Sequence, residues 1–353
     1  MAGDPRDAVI TGIGLISTLA DGIEAHTRIL SGAERPTPLL DTETYAPYPV
    51  HPLVEIDLST QIPRRGDQRQ MENWQRYGTY AAGLALTDAG LAGETEFLER
   101  MNLIVAAGGG ERDATVDGDI VEGWRQAEDP GAFVNDRLMS DLRPTLFLAQ
   151  LSNLLAGNIS IVHHVTGSSR TFMGEELGGA MAIETAWRQI RAGQNDLFLV
   201  GGAYNAARYD MMVFLAMSGG LWTGDVVPDV WHRTGQDGGM VPASMGAFLV
   251  IESREHADAR GTKIYARIDD VVTDRGARDR SERYAARIAR QVERLNAAAG
   301  SAALGLLSGA SGAPEATGLE REMIDAMSAG RPTFVRGLGS LMGHGMEAQM
   351  PAG

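Results

Sequence analysis

The sequence predicts a large α/β protein, and three observations support this fold class. The chain has 353 residues, of which 44% are apolar, so it can bury a large core as one duplicated domain or two smaller ones. Short apolar runs alternate with stretches whose apolar residues recur at helical spacing, which is typical of alternating strands and amphipathic helices. Two runs, DLFLVGGA at 196–203 and ALGLLSGAS at 303–311, end in similar small residues, which is compatible with an internal duplication.

The first predicted elements are a strand and a helix. Residues 8–13 form a short buried strand that turns at Gly12 and Gly14 into a helix near 20–31, which Gly32 ends. A segment rich in Pro, Thr and Asp then follows at 33–70 and is predicted to be an irregular excursion.

A second helix and strand follow this excursion. From about 71 to 90, apolar side chains recur at helical spacing and Gly90 is the expected stop. The apolar run at 101–109 is predicted to be a strand, and residues 111–142 are a polar stretch without a predicted element.

The middle of the chain carries the clearest helical pattern. The helix predicted over 176–192 has one apolar face, and Gly193 stands where a left-handed helix cap is expected. The other predicted elements are a helix at 143–157, strands at 159–163, 197–201, 246–252 and 263–271, a helix at 281–298 and a strand at 303–311.

Charge and composition exclude several function classes. The net charge of −15 argues against nucleic acid or an anionic membrane as the main partner, since both require a basic surface. The absence of cysteine excludes disulfides and thiolate metal sites, and the N-terminal residues lack a secretory pattern. With no apolar run near 18 residues, we expect a soluble, cytoplasmic protein without a membrane span.

Five segments, taken in order, resemble β-ketoacyl-ACP synthases of the elongating type. In that family a strand leads into an alanine–cysteine dipeptide and a buried helix, and the helix ends in an Arg-x-Gly-x-x-Asp stretch before a strand closing on Gly-Gly-Ala. Residues 159–202 resemble this nucleophile region. The other segments are AVITGIGLIST, RQMENWQRYGTYAAGLALTDAGL, NLLAGNISI and EHADARGTKIYARI.

The resemblance implies a thiolase-like fold. Such a fold has duplicated βαβαβαββ halves in a layered α/β/α/β/α arrangement. We expect an N-terminal half at 1–255, which contains the helix of the nucleophile position, and a C-terminal half at 256–353. Only nine residues follow His344, so this second half is expected to be truncated.

The family's catalytic set is one cysteine, two histidines and a lysine, and the resemblance maps each onto this chain. Counting back from the Arg-x-Gly-x-x-Asp stretch puts Glu176 at the cysteine position. The Gly-His motif at 339–348 puts His344 at the second histidine and Gly339 at the lysine. The loop at 308–314 puts Gly309 at the first histidine. Three of the four side chains are therefore replaced.

Two further positions come from the same comparison of residues. Glu320 falls on an acidic position downstream of the first-histidine loop, and Phe214 lies near the position of the family's gating phenylalanine, where it would contact substrate. Trp74, Trp187 and Phe214 are also typical of core residues.

Arg64, Arg65 and Arg69 cluster where the family's carrier-protein docking surface begins. A solvated run of charge explains such a cluster equally simply, and docking of an acidic acyl carrier protein is the functional alternative. His163 and His164, adjacent on a predicted strand, would point to opposite faces and could not jointly bind a metal. We expect no metal site and no cofactor.

The first function hypothesis is a non-condensing partner subunit. In the chain-length-factor group of this family the nucleophile is replaced, commonly by glutamine, and the subunit pairs with a cysteine-bearing ketosynthase and shapes the cavity in which the chain grows. The implied partners are that ketosynthase homologue, or a second copy of this chain, and an acyl carrier protein. The sequence also resembles synthase-like proteins of the α-proteobacterial clusters that make very-long-chain acyl groups for lipid A.

Two alternatives remain open. Glu176 could act as a general base in a thioester decarboxylase or hydrolase, although a helix N-terminus also favours glutamates at any helix start. Gly12-Ile13-Gly14 after the first strand could belong to a dinucleotide-dependent oxidoreductase, but Ser17 stands at the third glycine of that fingerprint.

Overall fold

The computed structural model describes residues 3–142, 144–233, 238–276 and 282–353. Its strands are β1 (Ala8–Ile16), β2 (Asn102–Ala106), β3 (Ser169–Phe172), β4 (Leu197–Tyr204), β5 (Met245–Ser253), β6 (Ala266–Ile268), β7 (Leu304–Ser308) and β8 (Thr333–Gly337).

In the described ranges, helices alternate with these strands. They are α1 (Ile23–Leu30), α2 (Arg65–Gln70), α3 (Asn73–Asp88), α4 (Thr95–Leu98), α5 (Ala114–Gln126), α6 (Pro130–Ser140), α7 (Pro144–Ala149), α8 (Leu154–His163), α9 (Glu175–Arg191), α10 (Tyr209–Met217), α11 (Arg254–Arg260), α12 (Glu282–Ala299), α13 (Pro314–Ser328), α14 (Leu338–Leu341) and α15 (Gln349–Ala352). Three short 3₁₀ turns lie at Leu58–Thr60, Val230–His232 and Met346–Ala348.

Six strands form one mixed sheet in the order β3-β2-β4-β5-β1-β6. β2 is parallel to both β3 and β4, whereas β5 is antiparallel to β4 and to β1. The central strands β2, β4 and β5 are buried along their full length, because helices cover both faces of the sheet and leave little room for polar side chains.

The core lies on both faces of this sheet. Leu103 packs on the side of α3 and α8, and Ile104, the next residue, packs on the side of α9, as expected where successive strand residues point to opposite faces. On the side of α9 the core contains Ala186 and Ile190 of the predicted apolar face, together with Ala182, which was not predicted there. Gly193 has φ 66° and ends α9 as predicted.

β1 differs from its prediction. It continues through Gly12 and Gly14 to Ile16 and does not turn there, and α1 begins only at Ile23. A Cβ at Gly14 would overlap the carbonyl oxygen of Ala81 and stand 2.6 Å from the amide nitrogen of Ala85. These glycines therefore let the backbone of α3 approach the sheet, and the structural basis for a dinucleotide-binding loop is removed.

The strand predicted at 159–163 is wrong. These residues end helix α8, and His164 follows it in a left-handed conformation with φ 59°. Ile159, Ile161 and Val162 favour a strand locally, but packing of Leu155 and Ile159 in the core beside α3 overrides that propensity. The strand of this region is β3, which starts at Ser169.

The polar stretch at 111–142 contains two helices without a predicted counterpart. Asp113 caps the start of α5 through the amides of Thr115 and Val116, and Asp129 caps α6, which begins with Pro130. These caps were readable signals in the sequence.

The C-terminal part differs from a simple repeat of the first sheet. β6, predicted as the longer strand 263–271, pairs with β1 at the edge of the six-stranded sheet. β7 and β8 form a separate parallel pair, with α13 against β7. The division into 1–255 and 256–353 stays a prediction. None of the described helices combines the length and apolarity needed to cross a membrane.

Candidate functional site

The site lies at the N-terminus of α9. Between β3 and α9 the chain turns sharply, because Gly174 has φ 138° and Glu175 has φ 52°. A left-handed conformation is unfavourable for a glutamate and marks a constrained turn. Glu175 is exposed, whereas Glu176 is half-buried, with 42% of its side chain accessible.

Glu176 is in direct contact with His344. The distance between Oε1 of Glu176 and Nε2 of His344 is 2.5 Å, although the two residues are 168 positions apart in the chain. The imidazole is almost fully buried, with a side-chain exposure of 1%. The structure thus brings together the residues predicted for the nucleophile and second-histidine positions.

The backbone holds His344 firmly. Its amide donates to the carbonyl of Val241 at 2.9 Å, and its carbonyl accepts from the amide of Ala243 at 2.8 Å. Nδ1 of His344 is buried without a hydrogen-bond partner among the described residues. Since Nε2 faces a carboxylate oxygen, we assign the proton to Nε2.

The two glycines predicted to stand at the family's first-histidine and lysine positions have different surroundings. A Cβ at Gly309 would meet only Cγ of Gln349, at 3.9 Å, so this position at the end of β7 has room for a side chain. A Cβ at Gly339 would stand 2.5 Å from the carbonyl oxygen of Ala310. Gly339 is therefore closed in by backbone, whereas Gly309 is open.

Glu320 belongs to the same neighbourhood. Oε1 of Glu320 accepts a hydrogen bond from Oγ of Ser308 at 2.5 Å. Burial raises the pKa of Glu320 above its usual range, the Ser308 bond opposes this, and the charge of Glu176 raises it further. Sequence comparison had located Glu320 only as an acidic position and had not identified Ser308 as its partner.

Glu347 is a second buried carboxyl that sequence reasoning missed. Burial is the largest cause that raises its pKa, to about 7, and the negative charges of Glu175 and Glu176 add to the effect. Its place three residues after His344, in a short motif already singled out, was the available signal. The region around the start of α9 therefore holds several carboxyl groups, and two of them, Glu320 and Glu347, have raised pKa values.

A cavity of about 610 Å³ opens beside Glu176. Its polar lining includes Glu176, Glu320 and Gln349, and its apolar lining includes Leu177, Ala180, Ile288, Leu319, Met323 and Met350. The pair formed by Glu176 and His344 could exchange a proton with a bound molecule, but the chain has no thiol to form an acyl intermediate.

The other predicted site residues lie apart from this cavity. Phe214 is on α10 with 62% of its surface exposed, and it is not among the residues that line the cavity beside Glu176. Arg64, Arg65 and Arg69 are exposed at and within α2, and none of them forms an ion pair within the described ranges.

The described residues contain no group of three or more His, Asp or Glu side chains arranged to hold a metal ion. His163 instead bonds the carbonyl of Thr79 through Nε2 at 2.8 Å. Its predicted place beside His164 on a strand is wrong, because His163 is the last residue of α8.

Comparison with known proteins identifies the family. The family model of the β-ketoacyl synthase N-terminal domain matches residues 6–257. The chain belongs to the β-ketoacyl synthase family. This confirms the resemblance seen in the sequence.

Curated relatives support the same assignment. 3-Oxoacyl-[acyl-carrier-protein] synthase 2 of Rhizobium meliloti (strain 1021) is 27% identical over 282 residues, covering 74% of this chain and 63% of that protein. The enzyme of the same name from Vibrio cholerae serotype O1 is 25% identical over 268 residues, with 74% and 62% covered. The chain thus spans just under two thirds of the length of these relatives.

Solved structures share the fold. The ishigamide ketosynthase/chain length factor superimposes with a TM-score of 0.75 at 24% identity, covering 98% of this chain and 84% of that one. A β-ketoacyl synthase from Burkholderia phymatum STM815 gives a TM-score of 0.74 at 21% identity, with 98% and 83% covered. The predicted thiolase-like α/β fold is confirmed.

Proposed function

We propose that this β-ketoacyl synthase family member is a non-condensing partner subunit of the chain-length-factor type, which pairs with an active ketosynthase. One observation carries the proposal. The carboxylate of Glu176 lies at the start of α9 against His344, at the position that the resemblance gives to the catalytic thiol, in a chain without cysteine.

The chemistry of the replaced positions supports this function. A carboxylate is a poor nucleophile toward a thioester, and the anhydride it would form hydrolyses readily. Gly309 and Gly339 supply neither an imidazole nor an ammonium group to stabilise an enolate. Glu176 and His344 alone are therefore insufficient for decarboxylative condensation.

The surface around β3 supports pairing with a second subunit. β3 lies at the edge of the six-stranded sheet and pairs only with β2 in the described structure. Ile161 of α8 and Met173, which directly follows β3, are large exposed apolar side chains. An open strand edge beside apolar side chains is a site that proteins normally cover. We place the subunit contact along 153–163 and β3.

The structural neighbours supply an analogy for both partners. One is described as a ketosynthase/chain length factor, and another as a type II polyketide synthase acyl-carrier protein in complex with its ketosynthase. We propose a cysteine-bearing ketosynthase homologue as the partner, with a homodimer as the alternative. An acyl carrier protein would dock at Arg64, Arg65 and Arg69.

Two measurements test this function. The purified chain with acyl and malonyl thioesters is expected to form no β-ketoacyl product, and condensation without a second ketosynthase would contradict the proposal. Co-expression with a cysteine-bearing ketosynthase from the same gene neighbourhood should give one complex in size-exclusion chromatography. Persistent separate monomers would reject the pairing.

The contact between Glu176 and His344 also favours a second candidate, a thioester decarboxylase or hydrolase. In this case Glu176 acts as general base, and the buried imidazole fixes its orientation. Release of carbon dioxide or free acid from a malonyl thioester should then disappear in Glu176→Gln. A wild-type chain that leaves the thioester intact would exclude this candidate.

A further inference from the structure

Three residues that line one small cavity each have a buried polar atom with no hydrogen-bond partner among the described residues. These atoms are Nε1 of Trp74 in α3, the hydroxyl of Tyr204 in β4 and Oε2 of Glu347 in the 3₁₀ turn 346–348. The residues are 3%, 6% and 4% exposed, and all three line a cavity of about 30 Å³. Buried polar atoms without partners are rare in folded proteins and require an explanation.

The other polar side chains of this cavity are already bonded. The amide oxygen of Asn205 accepts from the amide of Ala207 at 3.2 Å and from Oγ of Ser244 at 3.1 Å. The guanidinium of Arg208 pairs with Asp210 and donates to the carbonyl of Gly110 at 2.6 Å.

The size of the cavity and the hydrogen-bonding capacity of the groups that line it determine what can bind there. The volume of about 30 Å³ exceeds the roughly 10–15 Å³ that a cavity needs to hold a water molecule. The indole N–H of Trp74 can only donate, a carboxylate oxygen of Glu347 accepts, and the hydroxyl of Tyr204 can do either. A metal cation could not accept from Trp74 and would lie beside the positive charge of Arg208.

We propose that one water molecule occupies this cavity as part of the folded structure. It accepts from Nε1 of Trp74, donates to Oε2 of Glu347 and shares a third hydrogen bond with the hydroxyl of Tyr204. Three partners are typical of a buried structural water. The site links α3, β4 and the turn that carries Glu347.

The proposed water lies next to the helix that carries Glu176. The turn 346–348 packs against α9, and a Cβ at Gly179 of α9 would stand 2.9 Å from the carbonyl oxygen of Glu347. The water therefore bonds a turn that directly contacts this helix, whether or not the proposed pairing with a ketosynthase holds.

A high-resolution crystal structure of the full chain tests the site directly. We expect one ordered peak within hydrogen-bond distance of all three groups, with no anomalous signal after rubidium or bromide soaks. An empty cavity, an anomalous peak from either ion, or a direct bond between Tyr204 and Glu347 would overturn the proposal.

A double-mutant cycle tests the site in solution. Trp74→Phe and Tyr204→Phe should each raise the unfolding equilibrium constant roughly fivefold or more. The double variant should raise the unfolding equilibrium constant by less than the product of the two single effects, because both groups bond the same water. Exposed Trp124→Phe and Tyr209→Phe are the matched controls. The shared water would be refuted if the two single effects on the unfolding equilibrium constant simply multiplied in the double variant. Single variants that behave like the controls would also refute it.

Discussion

Two residues of the candidate site could be located from positions and motifs in the sequence alone. Counting from Gly193 and Asp196 pointed to Glu176, and a short motif pointed to His344; the structure brings these two side chains into contact. The same reasoning could not find Glu347, because its burial depends on packing between segments far apart in the chain.

At Glu176, replacement by cysteine should produce a reactive thiol. We expect Glu176→Cys to have a pKa below that of an ordinary thiol, because a helix N-terminus and the neighbouring His344 favour the thiolate. The rate of alkylation by iodoacetamide against pH measures this pKa. The chain has no other cysteine, so the signal belongs to the introduced thiol.

Two variants complete that experiment. Met173→Cys, at an exposed position just before α9, should titrate near the ordinary thiol value. Adding His344→Ala to Glu176→Cys should raise the pKa of the introduced thiol toward that ordinary value. Equal pKa values for all three thiols would show that the start of α9 and His344 do not form the electrostatic site described here.

At Glu347, the raised pKa predicts a loss of stability as the pH rises. The pKa is about 7 in the folded chain against an ordinary value of 4.5, so the unfolded chain releases this proton at lower pH. The stabilising protonation is fully present below pH 4.5 and is lost as the pH rises through 7. The difference amounts to at most about 3 kcal/mol.

Glu347→Gln removes this titration. Relative to wild type, the variant should gain unfolding free energy between pH 4.5 and 8, measured by urea denaturation at several pH values. Glu315→Gln, at an exposed position in α13, is the control and should follow the wild-type curve. Parallel curves for Glu347→Gln and wild type would contradict a raised pKa at this carboxyl.

At the scale of elements, the sequence predicted the helices and strands whose apolar residues follow a clear pattern. α3, α9, β4 and β5 follow from periodic or continuous apolar residues, and the structure contains all four near the predicted bounds. α8 was misread because its β-branched residues favour a strand locally, while its partner in packing, α3, lies far away in sequence. α5 and α6 bury none of their residues, so the sequence has no clear apolar pattern from which these two helices could be predicted.

The close contact between β1 and α3 predicts a sharp difference between two glycines. Gly14→Ala should lower the unfolding free energy by roughly 1–3 kcal/mol, because the new Cβ meets the backbone of α3 at Ala81 and Ala85. Gly305→Ala in β7 adds a Cβ with no atom within 4 Å and should leave stability unchanged or slightly higher. Equal chemical-denaturation curves for the two variants would disprove the close approach.

At the scale of the whole molecule, the described residues form one six-stranded mixed sheet and a separate pair of strands. The class of the fold followed from the alternation of elements, but the strand order could not, because β6 returns to β1 from beyond residue 255. The pairing of β6 with β1 depends on tertiary contacts, so no periodic pattern in the sequence predicts it.

The proposed subunit contact predicts a selective effect of one exposed residue. Ile161→Glu should weaken association with the ketosynthase roughly tenfold or more, because it puts a charge into an apolar contact. Phe334→Glu on β8 is the matched control, since both side chains are 61% exposed. Analytical ultracentrifugation of mixed subunits measures the effect. Similar weakening by both variants would argue against a contact at α8 and β3.

The crowding at Gly339 has a consequence for any attempt to engineer condensing activity into this chain. A side chain cannot be added there by substitution alone, because its Cβ would stand 2.5 Å from the carbonyl oxygen of Ala310 and the loop around it would have to move. Gly309, by contrast, has room for a side chain. Introducing a lysine at 339 would therefore require a redesigned loop, whereas a histidine at 309 would not.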